Sequence, residues 1–80
     1  MDVTYYVVVP FDRDAEGALT PGEAAEAPNA SAATRKARAL ALSHAGALAF
    51  SRSGDPAAGE FKDAVVLAEF GEVEAGALSA

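Results

Sequence analysis

Asp12, Asp14 and Glu16 stand at alternate positions, Gly17 follows them, and Glu23 closes a run of twelve residues. Carboxylates at the first, third, fifth and twelfth positions, with a turn glycine at the sixth, are the oxygen donors a calcium ion takes. Ca²⁺ wants roughly six to eight oxygens. The four side chains supply four or five of them, and the Ala18 carbonyl and water supply more. This is the one stretch of the chain with metal-binding chemistry in its spacing.

The segment Asp12–Glu23 resembles an EF-hand loop, including Leu19 after the seventh position. The resemblance covers only those twelve residues. A valine-rich strand pattern precedes them where a helix belongs, and Pro21-Gly22 breaks the helix that ought to begin near the end. The competing reading is an acidic hairpin tip whose charge keeps a sheet edge soluble. Asp14-Ala15-Glu16-Gly17 suits it, with Asp at the first position of a type I turn and Gly17 free to take positive φ. The context favours the hairpin.

Two other groups could do chemistry. Arg35, Lys36 and Arg38 form a basic patch that could touch phosphate or an acidic partner. Three charges in four residues spread around most of a helix, and no aromatic is interleaved to stack bases. His44 is the single histidine, and no Gly-x-Ser-x-Gly elbow stands near it. It reads as a partly buried structural residue. Tyr5 and Tyr6 read as packing residues with polar tips. The expectation is a protein that is not an enzyme and carries no cofactor.

The elements that would position these residues follow from pattern. Val3 to Phe11 is rich in Val, Tyr and Thr and reads as a strand, disturbed near Pro10, which cannot donate to a ladder. A weak second strand runs from Ala18 to Ala27, interrupted at Thr20-Pro21-Gly22-Glu23. A helix starts at Asn29 or Ser31 and runs to Ala45, with Gly46 as the left-handed residue past its end. Ala33, Ala37, Leu40, Ala41 and His44 share its apolar face, and Leu42 lies opposite. Ala47 to Arg52 is a third strand, residues 53–59 a loop, and Glu60 to Phe70 a fourth strand ended by Gly71. The fold class expected is α+β, a small antiparallel sheet of three to four strands with one helix on one face, in the order β-β-α-β-β. Residues 1–71 form a single domain, and residues 72–80 a frayed tail.

Composition sets the remaining limits. The chain has 80 residues, a net charge of −6 and no cysteine, so disulfides and thiolate metal sites are excluded. Acidity disfavours nucleic acid as a partner. No apolar run approaches the roughly 18 residues that span a bilayer, and no basic leader precedes an apolar run, which points to a soluble cytoplasmic protein without a membrane partner. The look is that of a small bacterial-style domain. Both faces of the first and fourth strands are apolar, yet one helix covers one face. A second copy is the economical cover for the other, through Tyr6, Val8, Val66 and Phe70. The sequence thus leads to a homodimeric interaction domain, with another protein as a further partner.

Overall fold

The computed structural model of the chain describes residues 1–74. The rest of the expected tail, residues 75–80, lies outside the described residues. The architecture is α+β: one helix and a curled antiparallel sheet of six strand segments. These are β1 (Val3–Arg13), β2 (Leu19–Pro21), β3 (Ala25–Ala27), α1 (Ala30–Leu40), β4 (Gly46–Asp55), β5 (Glu60–Phe61) and β6 (Val65–Gly71).

The centre of the sheet is the long antiparallel pair β1–β4, in register from Val3 opposite Gly54 to Phe11 opposite Gly46. β2 and β3 both pair with β1 on its other side, and β5 and β6 both pair with β4 on its far side. Six segments therefore make four lanes. The expected second strand is split at residues 22–24, overlapping the interruption expected at Thr20-Pro21-Gly22-Glu23, and the expected fourth strand is split at residues 62–64. Pro10 explains the first split. It offers no N–H to β2 or β3, and its carbonyl accepts the Gly22 N–H at 2.7 Å in place of a regular ladder. A bulge at Leu67, opposite Ala49 and Phe50, bends β6.

The helix begins as its residues dictate. Asn29 is extended (φ −159°), and its side chain accepts the Ala32 N–H at 2.8 Å. The helix stops at Leu40, short of the expected Ala45. The Leu42 N–H turns to the Ala39 carbonyl and the Ser43 N–H to the Leu40 carbonyl, tightening the last turn. Gly46 is not a left-handed cap. It opens β4, and glycine is needed there because a Cβ would collide with the backbone of Glu72. Positive φ falls instead at Gly17 (83°), Gly59 (70°) and Gly71 (69°).

The helix lies on the sheet through methyl groups. Ala33 and Ala37 are fully buried against Val8, Ala47 and Ala49, with Tyr6, Leu40, Ala41, Leu67, Ala68 and Phe70 around them. Three of the four residues expected from sequence at an interface lie on this side of the sheet. Strand parity places Tyr6, Val8 and Phe70 on the helix side, where Val8 is fully buried and Tyr6 and Phe70 are half-buried against the core; Val66 alone of that set points to the opposite face. On that opposite face Phe11 and Leu48 are fully buried too. Leu42, as expected, points away from the sheet and is exposed.

A contact this thin leaves no space for a larger side chain. Ala37→Leu is expected to destabilise the fold by about 1–3 kcal/mol through overpacking. The check is a urea midpoint that falls while the slope of the transition stays the same.

Candidate interaction surface

The hairpin β1–β2 settles the geometry of the acidic run. The Gly17 N–H donates to the Asp14 carbonyl at 3.0 Å, and the Asp14 N–H to the Ala18 carbonyl at 2.9 Å. The Asp14 carboxylate turns inward and accepts the N–H groups of Glu16 and Ala18, both at 2.9 Å. Asp12 points elsewhere: its carboxylate lies 2.6 Å from His44 Nδ1 and accepts the Ala45 N–H at 3.2 Å. Asp12, Asp14, Glu16 and Glu23 therefore do not converge, and among the described residues no three acidic or histidine side chains form a ligand set. The stretch includes the tip of the β1–β2 hairpin.

The Asp12–His44 contact joins residues 32 apart and fixes the α1–β4 turn to the end of β1. An ionised carboxylate only accepts, so Nδ1 carries the proton of that bond. The same end of the sheet holds a second pair. Arg13 Nη2 donates to Glu72 Oε1 at 3.0 Å and Nε to Oε2 at 3.3 Å, a forked contact. Glu72 also donates its N–H to the Ala45 carbonyl at 3.0 Å. The His44 hydrogen bond holds the Asp12 carboxyl below its ordinary range; desolvation opposes it, and the Ala45 N–H and the charge of His44 add smaller lowering effects. Arg13, through its hydrogen bonds and its charge, does the same for Glu72.

The basic patch does not gather into one surface. Arg35 reaches back to the Ser31 hydroxyl at 3.4 Å, and the Arg38 guanidinium lies 5.5 Å from the centre of the Phe70 ring, beside β6. Lys36 is exposed. A small hollow of about 190 Å³ lies at the opposite end from the Asp12–His44 pair, lined by Asp2, Gly54, Asp55, Glu60, Phe61 and Lys62. Pockets for small organic ligands are larger, roughly 300–1,000 Å³.

What remains open and apolar is the outer lane β5–β6. Val65 is 60% exposed, Phe61 44% and Val66 43%. The Tyr5 ring lies 6.4 Å from that of Phe61 and extends the patch onto the face away from the helix. The two outer lanes differ in chemistry. β2 and β3 are flanked by Pro21, Glu23, Glu26 and Pro28, which discourage pairing with another strand. β6 has no proline and no lysine, and its single charge is Glu69. Phe61 and Val65 carried no signal of this role in the sequence, because nothing there shows where the fourth strand breaks. Among the described residues no helix is long and apolar enough to cross a membrane. No family model matches the chain, and neither a curated protein nor a solved structure is similar to it.

The two carboxylates predict the acid behaviour. Each has a folded-state pKa below its unfolded one, about 3.9 for Asp and 4.3 for Glu. Their contribution is complete above those values and is lost as pH falls through the lower folded values. Stability should therefore fall below about pH 4. Asp12→Asn is expected to flatten that fall, with its loss relative to wild type complete above about pH 4. Thermal melting across pH 2–8 checks this; parallel curves for the two proteins would contradict it.

Proposed function

We propose that this chain is a non-enzymatic cytoplasmic domain that acts by associating with itself, as a homodimer able to present a surface to another protein. The observation that carries the reading is the outer lane, where exposed Phe61, Val65 and Val66 flank a strand edge without the guards found on the opposite edge. An exposed apolar edge is a template for pairing with another chain, and monomers ordinarily blunt it. The helix side of the sheet is closed by α1, and Phe11 and Leu48 are closed within one copy, so the partner surface moves to the β5–β6 side.

Acid–base chemistry has less support. Asp12 and His44 form a hydrogen-bonded pair, but catalysis also needs a concave site in which a third group and a substrate meet. Binding of nucleic acid by Arg35, Lys36 and Arg38 lacks a shared surface.

Light scattering after size exclusion tests the proposal. At high micromolar concentration the mass should be twice the 8.1 kDa of the chain. Val65→Lys combined with Val66→Lys should weaken association by about tenfold or more, ~1.4 kcal/mol, and leave the circular dichroism spectrum unchanged. A wild-type monomer at that concentration overturns the reading.

A further inference from the structure

The faces of β6 can be assigned residue by residue. Val65 pairs with Ser51 and Ala68 with Ala49, while Leu67 and Phe70 pack against the core beneath α1. These four belong to the helix side. Val66 pairs with Phe50, and Glu69 with Leu48, on the other side. The bulge at Leu67 is what puts 67 and 68 on one face.

That assignment leaves few ways for two such strands to meet edge to edge. Directly opposed residues in an antiparallel pair share a face, and a slip of one residue exchanges faces. We propose that two copies pair β6 against β6, antiparallel, with Val65 opposite Phe70, Val66 opposite Glu69 and Leu67 opposite Ala68 of the second copy, joining two sheets into one. The inference rests on the self-association proposed above and names its geometry. A slip of one residue sets Val66 against Phe70, or Val65 against Glu69, on opposite faces. A slip of two sets Ala68 against Glu69, or Val66 against Leu67, with the same fault. Of the registers that pair four or more residues of 65–70, the one named here alone avoids a mismatch; a slip of three keeps the faces matched but pairs only three residues.

Packing and charge agree with a second copy as the occupant. Val65, the most exposed large apolar residue of β6, lands beside the Phe70 ring, near which the Arg38 guanidinium lies. No like charges are opposed, because Glu69 meets Val66. Glu69 of the second copy stands beside Val66, one lane out from Phe50, and Arg52 follows two residues along β4 on the same face. Neither Glu69 nor Arg52 has an ion partner among the described residues. The pairing brings the two charges toward each other across the seam.

Engineered cysteines test the register, since the chain has none and every disulfide formed is the introduced one. Residues three apart on one strand lie about 10 Å from each other, too far for a bridge within a copy. Val66→Cys/Glu69→Cys, oxidised mildly at high micromolar concentration, should give a covalent dimer. It should form about tenfold faster than with either single cysteine, because only the pair places thiols in direct opposition. In the unaltered chain, amide exchange along β6 should slow about tenfold as concentration is raised through the dimerisation range. A dimer by light scattering with no faster bridging and no slowing at β6 overturns this geometry and leaves self-association standing through another surface. A monomer by light scattering overturns both. Slowing at β6 only when another protein is added would reassign the edge to an extended segment of that protein.

Discussion

The closeness of α1 to the sheet governs the rest of this molecule. Ala33 and Ala37 meet Val8, Ala47 and Ala49 through methyl groups, so backbone approaches backbone with little between. Such a contact supplies limited apolar area per residue and depends on fit. It also limits reach. Eleven residues of helix span about 16 Å at 1.5 Å each, while the molecule is 42 Å long. The helix therefore holds the middle of the sheet, and both ends need other means.

Those means differ. At the end where β1 finishes, polar contacts close the structure. Asp12 holds His44 and Ala45, Arg13 holds Glu72, and Gly46 and Gly71 let β4 and the end of β6 approach as closely as backbone allows. These charges are exposed, so each pair adds modest stability and its main effect is to set the path of the connecting segments. At the other end the helix side turns polar beyond the reach of α1, with the Thr4 and Ser53 hydroxyls 2.7 Å apart. The outer lane there is short, broken at residues 62–64 and lined with exposed apolar side chains. One end is finished by the chain itself and the other is left with an open edge.

Much of this was legible in the sequence where the cause is local. Asn29 as helix cap, Gly17 as turn residue, the interruption after Thr20, and the terminating role of Gly71 all depend on backbone preferences of single residues or short runs. The alanine face of the helix was legible because its period is fixed. The helix end was misjudged because Ala41, Leu42 and Ala45 favour helix, and tertiary hydrogen bonds from His44 and Ala45 to the Asp12 carboxylate override it. Gly46 was misjudged for a related reason: what demands glycine there is Glu72, which is distant in sequence. The pairs Asp12–His44 and Arg13–Glu72 left no pattern to read, since each joins segments whose register is fixed only by the completed sheet.

The reversed face assignment has a more instructive cause. With apolar residues on both sides of β1, hydrophobicity could not say which side α1 would choose. Side-chain size decides it. Beneath the helix lie Val8, Ala47 and Ala49, while the same stretch of the opposite face carries Val7, Val9, Leu48 and Phe50. A helix whose contact stripe is alanine fits closely on the flatter side and would ride high on the other, losing dispersion contacts over its whole length. The larger residues of β4 then face away from α1, and β6, paired to β4, inherits the parity that puts Val66 and Glu69 on the same side. Small residues on the helix thus set which face it covers, and through the register of the sheet they also set which side chains the outer strand can offer to a second molecule.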